Sequence, residues 1–448
     1  MAAVSLRASL VRTALLWGAG FLAFSLFVIL NKDLATYLRY LALGLPQGAI
    51  IALLAVGYSM VYGIIQLINF AHGEVFMFST YFTLMFLVPT GSHDIFSMKV
   101  VSATVGLLVA CAIWVAVSGL LQSRWLRLLV AIGAGVAFAV ANFYLLPKTG
   151  GRNPMPFFAA IAIAVVYSCC LGVTMDLLAY RPLRNSPRLI PLITAIGISL
   201  FLQSYAQSIW GSASRDFPAN ARPHLFWHYE HASHTSIPIQ QPAMIKLFSA
   251  QGRNGEPTII QMPLLDLTII MTAIVLLVAL QLFIHHTRTG KAMRACAQDR
   301  ITASLMGIQV NRVVALAFAL GAGLAAIVAP LYVLRGTFII PTMGYIVGIL
   351  AFASAVLGGI GNISGAMLGG LIIGTIYSFV PLFDSFDTFR IFGTLERWGW
   401  LTEEGWNRMG TNLGRPGQYQ LGVAYAFMIL VIVFKPTGLL GKASAKRA

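Results

Sequence analysis

His285 to Arg312 reads HHTRTGKAMRACAQDRITASLMGIQVNR, a polar stretch between two apolar ones, Leu264 to Ile284 and Val313 to Leu334. Apolar flanks of about 20 residues have the length of membrane-spanning helices. The polar stretch therefore reads as a helix outside the membrane, joining two spans. Met293, Ala297, Ile301 and Leu305 recur every fourth residue and make one apolar stripe, with Lys291, Arg294, Gln298 and Thr302 off it. Gly307 can close this helix with a left-handed cap, and Asn311 can cap the start of the next one. A basic amphipathic helix between spans either lies on anionic lipid or docks into a groove on a soluble partner. Gly290, the Ala295-Cys296-Ala297 run and Gly307 lean towards a partner, because small residues permit a close approach that lipid does not require.

The rest of the chain agrees with a membrane setting. Of its 448 residues, 58% are hydrophobic and 10% charged, against roughly 25% charged in soluble domains. Several apolar runs exceed about 18 residues, which marks membrane helices, and they lack the alternation of a barrel strand. The net charge of +16 would suggest nucleic acid in a soluble protein. Here the positive residues sit in short loops, which is an orientation signal. Arg7 and Arg12, Arg124 and Arg127, Arg181, Arg184 and Arg188, the 288–312 group, and Lys435, Lys442, Lys446 and Arg447 are expected to share the cytoplasmic face. Asp216, Glu230, Glu256, Asp384, Asp387, Glu396, Glu403 and Glu404 fall opposite. Cys111, Cys169 and Cys170 lie in apolar runs and Cys296 in the polar helix, so no structural disulfide is expected, nor any zinc site. The first apolar run lacks a small-residue cleavage site and reads as a retained span.

The fold class expected is an all-α polytopic membrane protein of about 10–12 transmembrane segments. About twelve apolar segments can be drawn, near 15–30, 40–62, 66–88, 100–121, 128–147, 157–179, 189–210, 263–285, 313–334, 346–358, 366–381 and 416–434. An even number places both termini on one side. The segments near 346–358 and 366–381 are short and Gly-rich and read as one broken or re-entrant unit. Two long connections, 211–262 and 384–418, fall outside by the positive-inside rule. Each is either an interfacial insert or a docking surface.

Two stretches carry polar groups at membrane depth. Gly57 to Tyr81, GYSMVYGIIQLINFAHGEVFMFSTY, holds Gln66, Asn69, His72 and Glu74 with Gly63 and Gly73. Such side chains are costly in hydrocarbon and face a cavity or a partner helix. The other reading puts Ala71 to Glu74 in a short cytoplasmic turn, with Glu74 in water at a helix start. Gly358 to Gly374, GGIGNISGAMLGGLIIG, is too dense in glycine for an ordinary span and has Asn362 at its break. Interrupted helices in matching places of two halves point to a transport pathway, which makes Asn69, His72, Glu74 and Asn362 its candidate residues. No GxxxxGK[ST], HExxH or GxSxG signature is present. The His72-x-Glu74 pair alone is a poor metal signal, and no cofactor is expected.

Three blocks resemble the H-type membrane permease subunit of bacterial branched-chain amino-acid ABC importers. They are GYSMVYGIIQLINFAHGEVFM at 57–77, AYRPLRNSPRLIPLITAIGISLFLQ at 179–203 and TRTGKAMRACAQDRITASLMGIQVNRVVALAF at 287–318. AVLGGIGNISGAMLGGLIIG at 355–374 and KPTGLLG at 435–441 complete the pattern. The resemblance implies a single permease domain over 1–448, in the inner membrane, importing leucine, isoleucine or valine. It implies that 286–312 is a cytoplasmic coupling loop docking on ATPase subunits, with Gly290, Arg294, Ala297, Asp299 and Gly307 as its coupling residues. It further implies two ATPase subunits, a homologous second permease subunit and a periplasmic substrate-binding protein as partners. The chain departs from the pattern in an extra N-terminal span at 1–35, an inserted span and loop at 124–156, and an external insert at 382–415. Urea and short-chain amide permeases of the same build, and a proton-coupled secondary transporter using Glu74 and His72, are the alternatives.

Overall fold

The computed structural model describes residues 23, 25–30, 34–87, 95–118, 123–145, 156–184, 186–187, 189–217, 222–223, 225–230, 239–251, 257–384, 396–398, 402–412 and 415–441. The helices are α1 (Leu34–Ile65), α2 (His72–Leu87), α3 (Ile95–Val117), α4 (Arg124–Leu145), α5 (Phe157–Met175), α6 (Leu189–Trp210) and α7 (Leu264–His286). They continue as α8 (Arg288–Gln298), α9 (Arg300–Leu305), α10 (Val310–Leu334), α11 (Met343–Gly358), α12 (Ile363–Phe379), α13 (Glu403–Asn412) and α14 (Gln420–Phe434). A π-helical turn, Asp176–Tyr180, extends α5.

Among the described residues, 9 helices are long and apolar enough to cross a membrane. The expected segments near 66–88 and 346–358 are α2 and α11, of 16 residues each. At 1.5 Å per residue such a helix covers about 24 Å, less than the hydrocarbon thickness. The expected first span lies mostly outside the described residues, as do much of 382–415 and the basic ends Arg7, Arg12, Lys442, Lys446 and Arg447.

The membrane-spanning part is all-helical, as expected; the 211–262 connection, expected as a long loop, holds short strands instead: β1 (Trp227–Glu230), β2 (Ile239–Pro242), β3 (Met244–Gln251) and β4 (Pro257–Pro263). β3 and β4 form an antiparallel hairpin from Met244↔Pro263 to Gln251↔Pro257, with a register shift between Lys246 and Phe248. In β4, Ile260 and Met262 are buried and Ile259 is exposed, the two-residue alternation of a strand with one covered face.

The chain divides into two compact units. One comprises Leu53–Gln241 and Met271–Phe352. In it every residue of α2 is buried, packed against α5 and α10. Between membrane helices, close packing of small residues and interhelical hydrogen bonds replace the hydrophobic drive of water. Here a methyl on Gly172 of α5 would lie 2.7 Å from the Phe318 carbonyl oxygen of α10. Ser79 and Ser168 share a 2.8 Å hydrogen bond between α2 and α5. α4 lies along α3, where Gly106 and Gly135 bring the two backbones together. Asn142 fastens it, accepting from the Tyr167 hydroxyl at 2.7 Å and donating to Ser102 at 3.2 Å. Its outer face, with Trp125, Leu129 and Val136 exposed, suits lipid.

The other unit comprises Met1–Ala52, Pro242–Ile270 and Ala353–Ala448. Here the glycine-rich stretch is a tight antiparallel helix hairpin. Gly359 and Gly361 turn the chain at φ of 102° and 87°, which L side chains disfavour. A methyl on Gly369 of α12 would sit 2.1 Å from the Ser354 carbonyl oxygen of α11. The opposite face of α12 meets the first half of α1, where a methyl on Gly370 would lie 2.3 Å from Ala52 Cα. The 435–441 segment closes the hairpin. Leu439 and Leu440 donate their N–H groups to the carbonyls of Leu357 at 2.8 Å and Gly358 at 3.0 Å, groups that the end of α11 would otherwise leave unpaired.

Candidate functional site

α1 ends at Ile65, and the chain leaves the helix through Gln66, whose φ of 54° is the only positive value for a non-glycine among the described residues. The next helix starts at His72. This break is held by its own polar side chains. The Asn69 side-chain oxygen accepts from the Tyr180 hydroxyl at 2.7 Å, and the Asn69 carbonyl accepts from the His72 N–H at 3.1 Å. Asn69 and His72 are buried, and the His72 ring meets Tyr58 edge-on at 4.8 Å between centroids. Gly57 is required there, because a methyl would fall 2.4 Å from His72 Nε2. Gly73 is equally constrained: its methyl would lie 2.2 Å from the Gly344 carbonyl oxygen.

Glu74 lies in the first turn of α2, as one expectation had it, but not in water: its exposure is 0%. Oε1 accepts from Ser199 Oγ at 2.9 Å and from Gln203 Nε2 at 2.8 Å, both on α6. Oε2 has no hydrogen-bond partner among the described residues, and neither does His72 Nε2. The helix N-terminus favours a negative group at this position. Two donors from a neighbouring span explain how the carboxyl group is accommodated in the interior.

The structure thus gathers Asn69, His72 and Glu74 at one break. Asn362 belongs to the other unit, and its side chain is engaged locally. Its oxygen caps α12 by accepting from Gly365 N at 3.3 Å, and its nitrogen donates to the Leu440 carbonyl at 2.8 Å.

The polar stretch 287–312 departs from the single-helix expectation. Asp299 leaves helical geometry, with φ −154° and ψ 116°, and splits the stretch into α8 and α9. It caps α9, accepting from Ile301 N at 2.9 Å and from Thr302 Oγ1 at 2.6 Å. The break also splits the expected stripe. Gly290, Met293 and Cys296 form the buried face of α8, while Ala297 is exposed. Ile301, Leu305 and Met306 are 75%, 81% and 79% exposed. Burial raises the Cys296 thiol pKa above its ordinary value, against the opposing field of Arg300. Thr287 caps α8 by accepting from Gly290 N at 3.0 Å. A methyl on Gly290 would strike the Phe283 and Ile284 carbonyl oxygens at 2.4 Å, so the corner with α7 admits only glycine. Arg294 donates back to His285 Nδ1 at 3.1 Å.

The expected cap at Gly307 is present. Its φ is 82°, and Gly307 N and Ile308 N donate to the carbonyls of Ser304 and Ala303, each at 3.1 Å. That is the paired hydrogen-bond pattern of a Schellman end. Asn311 does not cap the next helix. Gln309 stands at that cap position, and the Asn311 side chain accepts from Arg184 at 2.5 Å instead.

Four further residues were not singled out from the sequence: Ser199, Gln203, Tyr180 and Asp176; Arg184 was named only among the basic loop residues. Ser199 and Gln203 are a polar pair four apart in a mainly apolar span, on one face of the helix. Asp176 is a fully buried acid paired with Arg181 at 3.3 Å and with Arg184. An acid at the end of an apolar run was the available signal.

The chain matches the family described as branched-chain amino acid transport system / permease component over residues 40–432. It is 32% identical over 412 residues to the high-affinity branched-chain amino acid transport system permease protein BraD of Pseudomonas aeruginosa, covering 92% of this chain and 98% of that protein. It is 32% identical over 424 residues to the corresponding permease protein LivH of Escherichia coli, covering 93% of this chain and 100% of that protein. No solved structure matches. With nine helices of spanning length and apolarity among its described residues and a match across most of its length, this chain is a multi-pass membrane protein that belongs to the branched-chain amino acid transport system permease family.

Proposed function

We propose that this chain is the permease subunit of an ATP-driven importer that carries leucine, isoleucine and valine across the bacterial inner membrane. The observation that carries the reading is family membership across residues 40–432. Two ATPase subunits supply the hydrolysis, a homologous permease chain completes the membrane part, and a periplasmic binding protein delivers the amino acid. The ATPases dock on 286–312, where Gly290 sets the corner, Arg294 stays at the surface, Asp299 breaks the helix and Gly307 ends it. Ala297, Ile301, Leu305 and Met306 are exposed there. A water-exposed apolar patch of this kind favours a protein partner. Asn69, His72 and Glu74 line the pathway or its gate, and Asn362 braces the second glycine break. Interrupted helices with buried polar groups are the expected build of such a pathway.

The test is uptake of labelled leucine by cells carrying the complete transporter, competed by isoleucine, valine, urea and acetamide. Competition by isoleucine and valine is expected. Competition by urea or acetamide alone would replace the amino-acid assignment with an amide importer.

A further inference from the structure

A cavity of about 460 Å³ opens beside the helix break, lined by residues of α1, the break, α6 and α11. Its size falls in the range of small-molecule sites, roughly 300–1,000 Å³. Phe70, Ile196, Leu200 and Ile349 give it an apolar wall. Ser199 and Gln203 give it a polar edge, and these are the two side chains that hold Glu74 Oε1. With its amide nitrogen committed to Glu74, Gln203 presents a carbonyl oxygen, an acceptor suited to an ammonium group. The Glu74 carboxyl group stands directly behind. Tyr58 and Tyr345 line the same cavity, and their phenols are donors suited to a carboxylate.

Ile196, Leu200 and Tyr345 are exposed at the rim of the cavity. On the same helix, Gly197, Ser204, Gln207 and Ser208 are also exposed.

We infer that this cavity is an intramembrane binding site for a zwitterionic amino acid with an aliphatic side chain: the ammonium lies at Gln203 and Ser199, and the side chain lies against Ile196, Leu200 and Ile349. The inference rests on the importer reading above and gives it a substrate-contacting surface.

The experiment uses the assembled permease–ATPase complex in lipid nanodiscs, without binding protein, and measures tritiated leucine by scintillation proximity. Leucine uptake by the same wild-type complex with binding protein is measured in parallel. Gln203→Leu keeps the shape and removes the polar contact. It is expected to weaken leucine binding by roughly tenfold or more, which is about 1.4 kcal/mol. Leu200→Trp sits on an exposed rim position, so it fills the mouth without repacking a core; leucine binding should fall below detection. Ile196→Ala enlarges the wall and should raise phenylalanine binding relative to valine. Wild-type leucine uptake without leucine binding, or binding unchanged in both Gln203→Leu and Leu200→Trp with no gain in Ile196→Ala, would overturn the site and leave the importer reading standing. A wild-type complex that imports no branched-chain amino acid would overturn the importer reading itself, and the site with it.

Discussion

Gly307→Val isolates the cap between the polar loop helices and the span that follows. Gly307 has φ 82°, and nothing lies within 4 Å of the position its Cβ would take. The substitution therefore adds no clash, and its whole effect is backbone strain. A residue with a Cβ pays about 1–2 kcal/mol in the left-handed region, and a β-branched one sits at the upper end. Escape to an extended conformation is no cheaper. It breaks the hydrogen bonds from Gly307 N and Ile308 N to Ser304 and Ala303, each worth about 0.5–1.5 kcal/mol net. A cost of one to two kcal/mol changes a local opening equilibrium by roughly 5- to 30-fold. Hydrogen exchange of the peptide covering 300–313 in the reconstituted complex reads this directly. Gly307→Val should accelerate the Ile308 amide by that factor, and Gly307→Asn should do so much less, because Asn tolerates the left-handed region. Less ATPase subunit should co-purify with the Val variant, since the entry of α10 is displaced. Equal exchange in the wild-type, Asn and Val proteins would refute the cap as the element that sets the loop geometry.

Four other outcomes are expected. Ala297→Trp holds apart a close interface at a cost of roughly 1–3 kcal/mol. Co-purified ATPase should drop by about 5- to 150-fold in affinity, whereas full retention and full uptake would indicate a helix resting on lipid. Glu74→Gln keeps an acceptor for Ser199 and Gln203 but removes the ionisable carboxyl group, so the complex should assemble and transport should change; wild-type uptake would return Glu74 to a structural role. Arg184→Ala removes one of two arginines paired with the fully buried Asp176. Breaking a buried pair costs up to about 3–5 kcal/mol, moderated here by Arg181, and an unchanged melting temperature would refute that pairing. Ser304→Cys should resist an impermeant thiol reagent in intact cells, and strong external labelling would reverse the assigned orientation.

Most of the membrane architecture was legible because the bilayer leaves few alternatives: a long apolar run must satisfy its backbone internally. The glycine hairpin was legible for a different reason. Seven glycines from Gly358 to Gly374 serve two uses: Gly359 and Gly361 turn the chain at positive φ, and Gly358, Gly365, Gly369, Gly370 and Gly374 pack backbone against backbone. The Gly307 cap was legible from residue type alone. The break at Asp299 was not, because a four-residue stripe runs through it unbroken. Only the Asp299 side chain capping Ile301 and Thr302 ends α8 there. Asn311 was misplaced because a cap and an interhelical acceptor use the same side chain, and the choice belongs to Arg184, 127 residues away. The burial of Glu74 was open for the same reason. Its donors, Ser199 and Gln203, are 125 and 129 residues distant in sequence. The strands of the 211–262 connection were hidden among Pro, His and Asn residues, with only Thr258-Ile259-Ile260 as a strand signal.

The most direct test of the central claim is the energy source for uptake. Membrane vesicles containing this chain, its partner permease, the ATPase subunits and the binding protein would be given labelled leucine with the proton gradient collapsed and ATP supplied on the ATPase side. Leucine accumulation that depends on ATP and persists without the gradient is the expected result. Uptake that stops with the gradient and ignores ATP would contradict it and make Glu74 and His72 a proton relay.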